Sequence, residues 1–420
     1  MTRCFFPWAV GLGLLLAVTW PRLGHSATIT VTAGQSINDA IGRTQAGGTV
    51  LVEDGTYNET LNTNNLANGS SQQPTTLKAK NRGKVILQPG GSGPIASFHG
   101  KSWIVYDGFV HDGTNMSTSG GGLDLNAQTG LDNITIDSVE IRNMKGDTEG
   151  SQGNYLTTAA IGATYPATNV IMRNLYVHDI GVNQSAGNSC NECYGYGIYL
   201  SGNGYTLENS RFVHIAGFVV HGYSSGANSV SNNSIRNNYF EDTGGAVLLC
   251  QSHNEISGNI LNRVGIGAAG GHRAGIILNV YCSGQPATGN TIMHNTIYQS
   301  AGPCIDLGGS SAGRVQNNIC YRNASDSILN GGSGNTTSHN LLGTDPRFVN
   351  ADQGDFHLQP GSPAIDAGVQ VGRPFQGAAP DLGACEVGEQ TCGGPGTTTP
   401  TPTVPPPTGL RLGPGPEGLR

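Results

Sequence analysis

The sequence predicts an all-β fold, a parallel β-helix in which a short repeat winds around one core. The main evidence is a phrase that occurs twice, as Ile235–Phe240 (IRNNYF) and as Ile256–Leu261 (ISGNIL). Its asparagines Asn238 and Asn259 are 21 residues apart, and the apolar run Ala246–Leu249 lies between the two copies. This period fits two or three short strands with turns. It is too short for helices and strands to alternate, because a parallel crossover through a helix needs about a dozen residues or more.

The phrase recurs along the chain while the spacing of its apolar pair stays constant. Further copies are Met172–Val177, Leu207–Phe212, Ile292–Ile297 and Val315–Cys320, and Asn340 closes the series. A repeat of this length indicates a solenoid whose coils hydrogen-bond to one another about 4.8 Å apart. The recurring asparagine then stacks as a ladder of side-chain amides. The alternative is an ordinary sandwich with asparagine-rich loops.

Composition fits a single turn-rich domain and disfavours nucleic acid as a partner. The chain has 420 residues with 65 glycines, and only 12% of its residues are charged. Glycine-rich composition suits a fold with several turns per coil. The net charge is −7, and no basic stripe is present of the kind that binds phosphate backbones. We expect a monomer.

Residues 1–27 are predicted to be a secretory signal peptide. Arg3 supplies the positive charge, an apolar stretch follows it, and Ala27 is a small residue suited to cleavage. No later run is long and apolar enough to span a membrane. We therefore expect a secreted protein, extracellular or at the cell surface, with the periplasm as an alternative.

The remaining chain divides into four predicted parts. Residues 28–76 form an N-terminal cap and first coil, in which Ser36–Thr44 is a short amphipathic helix signal with Ile37, Ala40 and Ile41 on one face. Residues 77–343 are the repeats of the β-helix. Residues 344–388 are a C-terminal cap, and residues 389–420 are a Pro-, Thr- and Gly-rich disordered tail.

Cysteine usage predicts disulfides. Nine cysteines are present, of which Cys4 lies in the leader, and an even number in an exported chain favours pairing. Zinc binding at Cys190-x-x-Cys193 is disfavoured because two further ligands are missing. The expected pairs are Cys190 with Cys193, Cys250 with Cys282, Cys304 with Cys320, and Cys385 with Cys392.

Long insertions are expected to form the walls of a groove. They lie at Gly146–Thr158, Gly181–Gly195, Gly265–Ala274 and Val280–Gly289. Three of the four leave the solenoid at the same point, just after the asparagine-bearing strand. Loops gathered along one side of a solenoid commonly form its binding face.

One aligned column carries residues suited to proton transfer. Two places beyond the second apolar residue of successive copies lie Asp179, His214, Asp242 and Arg263. Neighbours in a column lie about one strand spacing apart, so a histidine between two carboxylates has a raised pKa. Such a row can abstract a proton and hold a substrate carboxylate. The alternative is that these are turn residues serving only local hydrogen bonds.

Two further groups of residues are candidates for contact with a sugar. His272 and Arg273 lie in the glycine-rich stretch Gly270–Gly275, where they can close over a sugar or be incidental charges on a loop. Tyr194 and Tyr196 lie near the insertions. They can stack on sugar rings or simply cap the loops.

The repeat pattern and composition resemble the secreted right-handed parallel β-helix superfamily that includes pectate lyases. The C-terminal series also resembles the module called the choice-of-anchor Q domain, found at the end of bacterial secreted β-helices. That series comprises Asp345–Phe348, Gly354–Leu358, Gly361–Gly368 and Pro380–Glu386. The two resemblances imply an exported bacterial protein.

The resemblance implies a polysaccharide as partner and β-elimination or epimerisation of a uronate polymer as the reaction. Enzymes of this superfamily neutralise the uronate carboxylate with Ca²⁺ or Arg and use Lys, Arg or His as a base. No lysine follows Lys145, so Arg263, Arg273 or a histidine is expected to act. Ca²⁺ is a possible cofactor, with Asp179 or Asp242 as its ligands, although no calcium-loop spacing occurs.

Whether the protein is an enzyme is left open by the sequence. Hydrolysis is less favoured, because the paired acids that glycosidases of this fold use are absent. The Arg-x-Pro-x-x-Arg pattern of pectate lyases and the Asp-Pro-His motif of alginate epimerases are absent as well. A non-catalytic cell-surface or adhesin-like scaffold that binds glycans is therefore the alternative.

Overall fold

The computed structural model describes residues 27–126, 130–145, 159–181, 195–222, 231–266, 273–278, 286–390 and 392. Within them, three long sheets run side by side, and each strand pairs in parallel with the strands one coil before and after it. These sheets confirm the predicted all-β parallel β-helix. We name them A, B and C in the order in which each coil visits them.

Sheet A has twelve strands. They are β1 (Thr28–Val31), β2 (Thr49–Val52), β5 (Thr75–Ala79), β8 (Ser102–Asp107), β11 (Leu131–Asp137), β14 (Ala167–Arg173), β17 (Tyr205–Glu208), β20 (Ser234–Arg236), β23 (Glu255–Ser257), β26 (Thr291–Met293), β29 (Arg314–Gln316) and β32 (Thr336–Ser338).

Sheet B has eleven strands. They are β3 (Gly55–Tyr57), β6 (Val85–Leu87), β9 (Phe109–Asp112), β12 (Glu140–Met144), β15 (Tyr176–Ile180), β18 (Arg211–Ile215), β21 (Tyr239–Thr243), β24 (Ile260–Val264), β27 (Thr296–Tyr298), β30 (Ile319–Tyr321) and β33 (Leu341–Leu342).

Sheet C has ten strands. They are β4 (Leu61–Asn62), β7 (Gly91–Ser97), β10 (Met116–Asp124), β13 (Ala159–Ala163), β16 (Tyr196–Leu200), β19 (Phe218–Gly222), β22 (Gly245–Leu249), β25 (Ile276–Leu278), β28 (Pro303–Asp306) and β31 (Ser325–Leu329). A separate antiparallel pair follows, β34 (Phe348–Asn350) and β35 (Asp355–Leu358). Short 3₁₀ turns lie at Thr63–Asn65, Gly113–Asn115 and Ala351–Gln353.

A short helix, α1 (Ile37–Arg43), lies at the N-terminal end. Ser36 begins it, accepting a hydrogen bond from the Asp39 amide, which is one of the donors that the first helical turn leaves unpaired. Ile37 and Ile41 are both fully buried in the main core. The predicted amphipathic helix is thus confirmed. Strands β1 to β4 all lie within residues 28–76, so the sheets begin at Thr28.

The core runs the length of the solenoid and is built from inward-pointing apolar side chains. Ile235 pairs with Ile256 on sheet A, and Phe240 pairs with Leu261 on sheet B. All four are fully buried. Like residues therefore stack on like residues in successive coils, as the repeat predicts.

Each coil turns at three corners, which we name AB, BC and CA after the sheets they join. In most coils one non-glycine residue at each corner has a positive φ near 55°, such as Asn209 at corner AB, His214 at corner BC and Asn133 at corner CA. This left-handed conformation is uncommon outside glycine and is tolerated best by Asn, Asp and His. The abundance of those residue types in the sequence follows from the corners.

A buried asparagine ladder runs along corner AB. Asn238, Asn259, Asn295 and Asn318 each donate a side-chain N–H to the Oδ1 of the next, at 2.9–3.0 Å, and the series ends at Asn340. The same oxygens also accept backbone N–H groups, as from Asn259 to Asn295. These amides satisfy turn groups that would otherwise be buried without partners, which costs about 1–3 kcal/mol each.

The ladder differs from the sequence expectation in its first coils. Asn174 and Asn209 carry the left-handed turn, with φ of 55° and 49°, and do not belong to the ladder. Ser210 takes the ladder position there, and its hydroxyl accepts from the Leu175 amide. The asparagine thus shifts by one place between copies because it forms the left-handed turn in some coils and belongs to the ladder in others.

A second ladder, which the sequence did not reveal, runs along corner CA. Asn254 donates to Asn290 Oδ1 at 3.0 Å, and the Asn233 amide donates to Asn254 Oδ1 at 3.1 Å. Each of these residues lies five places before an asparagine of the first ladder. That constant offset is the signal that would have identified it.

The C-terminal segment, residues 344–392, packs against the outer face of sheet B. Phe356 lies in a cluster with Tyr239, Tyr298 and Phe348, and the Ala384 amide donates to Thr296 Oγ1 at 3.0 Å. The segment reaches five successive strands, from β21 to β33. Strands β31 and β32, which belong to the last two coils, contain no buried residue. Residues 344–388, predicted as a cap, therefore cover the flank of the last coils.

Two of the predicted disulfides are confirmed, Cys304–Cys320 and Cys385–Cys392. Cys304 and Cys320 are fully buried and join β28 to β30 through the core. Cys250 is also disulfide-bonded. The other cysteines predicted to pair lie outside the described residues, and they are Cys190, Cys193 and Cys282.

The asparagine ladder predicts a specific loss of stability. Replacing Asn259 by Ala removes partners from Asn238, Asn295 and the Ile235 carbonyl. We expect the free energy of unfolding to fall by about 2–4 kcal/mol, as measured by urea denaturation. The control is Asn209→Gly, which preserves the left-handed turn at a residue whose side chain bonds to no described residue, and we expect a change within about 0.5 kcal/mol. Equal losses in the two variants would contradict the ladder's role.

Candidate functional site

The row predicted from the aligned column lies at corner BC. Val177 pairs with Phe212, Phe212 with Phe240, and Phe240 with Leu261. The residues two places further along, Asp179, His214, Asp242 and Arg263, therefore occupy four successive rungs. We call these four residues the BC row.

The backbone of the corner directs these side chains outward. All four residues have φ between 52° and 55°. The left-handed turn follows the last outward-facing strand residue, so the chain bends toward sheet C while the corner side chain stays outside the core. Asp and His suit this conformation, whereas Arg263 adopts it at a steric cost.

His214 lies between two carboxylates. Its Nδ1 is 3.3 Å from Asp179 Oδ1, and its Nε2 is 3.8 Å from Asp242 Oδ2. The side chain keeps 35% of its surface exposed. The imidazole is therefore held in place by its neighbours and can still be reached by a ligand.

Arg263 closes the row on the other side of Asp242. Its Nε donates to Asp242 Oδ1 at 2.6 Å, and its Nη2 donates to Glu241 Oε1 at 2.7 Å. Glu241 also accepts from Arg211 at 2.9 Å. Both carboxylates beside the guanidinium are thus already engaged, and Asp242 acts on His214 through its charge at 3.8 Å and not through a hydrogen bond.

Two residues that sequence reasoning missed extend the row by a further rung. His178 Nδ1 is 2.7 Å from Asp179 Oδ2, and His178 Nε2 is 3.3 Å from Glu140 Oε1. The sequence of groups from Glu140 to Arg263 therefore alternates acid and base. His178 immediately precedes the aligned column, a position that points outward from β15. The sequence signal that could have identified His178 is that it directly precedes Asp179 and adds a second histidine beside this carboxylate.

The electrostatics of the row follow from these contacts. Burial opposes ionisation of Asp179, but hydrogen bonds from His178 and His214 outweigh it and hold the pKa of that carboxyl well below its ordinary value. The hydrogen bond with Asp179 raises the pKa of His214, burial opposes this, and the charge of Asp242 adds to it. Burial alone would lower the pKa of His178, yet its bonds to Asp179 and Glu140 raise it.

Connection lengths leave His214 and Asp242 between two long insertions. Only Ala216 and Gly217 separate β18 from β19, and only Gly244 separates β21 from β22. The strands on either side, β15 and β24, lead into the connections 181–195 and 265–275. All of these connections leave from corner BC. The tight turns that follow His214 and Asp242 therefore lie between the points where the two longer connections leave the solenoid.

The other predicted site residues are distributed differently. Arg273 is exposed near corner BC, where its backbone carbonyl accepts from Ser300 Oγ, and it forms no ion pair with a described residue. Tyr196 is only 6% exposed on the outer face of sheet C, with its ring stacked 4.5 Å from that of His221. Little of its surface is therefore open to a ligand. His272 and Tyr194 lie outside the described residues.

The row does not fit a calcium ion. Calcium takes six to eight oxygen ligands, mostly from carboxylates and carbonyls. Asp179 is engaged by two histidines, and Asp242 by Arg263. Among the described residues, no group of three His, Cys, Asp or Glu could hold a metal ion.

No helix in the described part of the chain is both long enough and apolar enough to cross a membrane.

Comparison with known families supports the architecture. Residues 175–342 match the family model of the right handed beta helix region, and residues 31–119 match that of chondroitinase B. No curated protein matches the chain in sequence. Together with the three parallel sheets, the first match defines the solenoid as a right-handed parallel β-helix.

Several solved structures have a similar fold at low sequence identity. Pectate lyase Pel9A is 13% identical with a TM-score of 0.56, over 86% of this chain and 96% of that chain. The family 6 polysaccharide lyase Pedsa3628 from Pseudopedobacter saltans is 15% identical with a TM-score of 0.45, over 79% and 90%. The A-module of mannuronan C-5 epimerase AlgE6 from Azotobacter vinelandii is 16% identical with a TM-score of 0.40, over 68% and 71%.

The raised pKa values of His178 and His214 predict a pH-dependent stability. A group whose pKa is higher in the folded state stabilises that state fully below its ordinary pKa, about 6.5. That contribution is lost as the pH rises through the raised folded value. We expect the unfolding temperature to fall over this interval, and the fall to shrink in Asp179→Asn, which removes the shared partner. Asp54→Asn, an acid bonded to Asn81, is the control and should keep the wild-type profile.

Proposed function

We propose that this protein binds an extracellular uronate-containing polysaccharide at corner BC and cleaves it by β-elimination. The observation that carries the proposal is His214, partly exposed, held between Asp179 and Asp242, with Arg263 on the next rung. The row combines a titratable imidazole with fixed charges on both sides. These are the groups needed to move a proton beside a carboxylate.

The likeness to solved structures gives independent support for a glycan substrate. The structure that shares this fold with a TM-score of 0.56 is described as a pectate lyase. The N-terminal coils match the family model of chondroitinase B. Since one fold hosts many functions, the reaction depends on the residues of the row and not on the fold.

In β-elimination a base removes the proton on the carbon next to the uronate carboxylate, and the glycosidic oxygen leaves from the adjacent carbon. In neutral His214, an Nδ1–H directed at Asp179 leaves the lone pair on Nε2, so this nitrogen is the base. Asp179 fixes that tautomer and stabilises the imidazolium formed when the proton is taken up. The departing glycosidic oxygen takes up a proton from the His214 imidazolium or from water, so the products are a new reducing end and an unsaturated uronate.

The developing charge on the substrate carboxylate needs a cation. Arg263 is bonded to Asp242 and Glu241, so its capacity for a further anion is limited. Arg273 is exposed and forms no ion pair with a described residue. We therefore assign carboxylate binding mainly to Arg273, with Arg263 holding Asp242 in place beside His214.

A non-catalytic glycan-binding scaffold is the second candidate. The observation in its favour is that the charged groups of the row are largely paired with one another. A row that only fixes the register of the coils needs the same contacts. The two candidates differ in whether a glycan that binds is also cleaved.

We also propose that the protein is exported. Its buried disulfide Cys304–Cys320 joins neighbouring coils through the core, and disulfides persist mainly in oxidising compartments. Residues 1–27 have the pattern of a secretory signal.

The first experiment measures ultraviolet absorbance of unsaturated uronate ends with pectate, alginate and chondroitin as substrates, with and without Ca²⁺. We expect a rising signal on at least one substrate that His214→Asn reduces at least about 100-fold, the lower end of what a general base contributes. His339→Asn is the matched control, because it is an exposed histidine with the same left-handed backbone at corner AB. A flat trace with a glycan that nevertheless binds would favour the scaffold.

The pH profile tests the role of His214 separately. A base acts in its neutral form, so the raised pKa of His214 predicts that kcat/KM rises with pH and levels off above about 6.5, the ordinary value for histidine. Asp242→Asn removes a charge that raises this pKa, so the rising limb should move to lower pH. A limb that stays in place in Asp242→Asn would assign the base to another residue.

A further inference from the structure

A second group of polar residues lies at corner CA, on a different edge of the solenoid from the BC row. It extends over the coils that contain β8, β11, β14 and β17. An open cleft of about 400 Å³ lies here, and its lining includes Lys101, Ser102, Asp132, Thr168 and Asn203. We call it the CA cleft. None of these lining residues belongs to the BC row.

Trp103 immediately follows the lining residues of β8 and has an unusual backbone. Its φ is 57°, in the left-handed region, which bulky residues rarely adopt. The same corner position in the next two coils is filled by Asn133 and Asn169, for which this conformation is far easier. Strain of this kind persists where surrounding structure enforces it, and it is concentrated at functional sites.

The Trp103 side chain is also not used as core. It is half-buried and belongs to none of the hydrophobic clusters formed by the described residues. It is the only tryptophan in the chain after Trp20. A large aromatic ring that neither packs in the core nor suits its backbone has no evident structural benefit.

Hydrogen-bonding groups lie along the same corner in this coil and the next two. Asn169 Nδ2 donates to Asn133 Oδ1 at 2.6 Å, and Asn133 Nδ2 donates to Asp132 Oδ1 at 2.8 Å. Four residues before Trp103, the exposed His99 lies 3.0 Å from Asp124. Trp103 therefore follows the cleft lining directly in the chain, and the same corner carries amide, carboxylate and imidazole groups.

Lys101 adds a buried cation. Only 8% of its surface is exposed, and its Nζ donates to the carbonyls of Asn64 and Leu66 at 2.8 and 2.9 Å. No described carboxylate forms an ion pair with it. With Asp132 in the same lining, the cleft carries one charge of each sign, so its charge does not select strongly for an anion or a cation.

We propose that the CA cleft is a second carbohydrate-binding site, which takes a pyranose unit of a polysaccharide. An aromatic ring has an apolar face for the C–H face of a sugar ring, and a few polar groups around an open cavity fix its hydroxyls. This site recognises hydroxyls and ring shape, whereas the BC row recognises a carboxylate. Binding at the CA cleft does not require the protein to be an enzyme.

The sharpest test is Trp103→Asn, which gives this coil the residue found in the next two coils. Because Asn adopts the left-handed turn more easily, we expect the thermal unfolding midpoint to stay constant or rise. Affinity for a glycan should fall at least tenfold, measured by calorimetry in the full chain with hexasaccharides of glucose, galacturonate and mannuronate as probes. A lower midpoint with unchanged affinity would show a structural role for the tryptophan and overturn the proposal.

Fluorescence provides a second readout that keeps the tryptophan in place. In the full chain carrying Trp8→Phe and Trp20→Phe, Trp103 is the only tryptophan, and we expect its emission to change saturably with at least one probe. Asn203→Ala, in the cleft lining, should weaken this response several-fold. His214→Asn should leave it unchanged, so a failure of the catalytic proposal is distinguishable from a failure of this one. No response to any of the three probes refutes the site.

Discussion

The structure depends on one constraint, that every coil must turn three times without leaving a buried amide unpaired. Most turns use a residue in the left-handed conformation, and the amides inside two of the corners are satisfied by asparagines of the neighbouring coils. Register between coils is fixed by these bonds as well as by apolar stacking. Parallel sheets whose strands are only three to five residues long, as in the later coils, remain aligned because of this.

The chemistry of the surface follows from the same constraint. A left-handed corner residue has its side chain outside the core, and the residue types that tolerate it are those that titrate or bind sugars. The corners are therefore rows of Asn, Asp and His one strand spacing apart. At corner BC the row is Asp179, His214, Asp242 and Arg263, and at corner CA it includes Trp103 with two asparagines.

The structural features that could be predicted from the sequence are those that repeat along it. The apolar pair keeps its spacing in every copy, so the strand register and the order of the BC row were predictable in full. Asn174 and Asn209 were misassigned to the ladder, because an asparagine serves both the turn and the ladder and only geometry separates the two roles. His178 was missed since it lies one place outside the aligned column. The packing of residues 344–392 on sheet B was beyond reach, because it depends on the shape of a face built from five separate coils.

That packing changes what kind of solenoid this is. Stacked repeats normally interact only with their neighbours, so such chains tolerate the gain or loss of whole coils during evolution. Here Phe356, Ala384 and the residues around them contact strands from β21 to β33 at once. Deleting or duplicating a coil in this stretch would shift those contacts by one strand spacing and undo them together. The C-terminal segment thus constrains the number of coils that it covers, whereas the number of coils before β21 is not constrained by it.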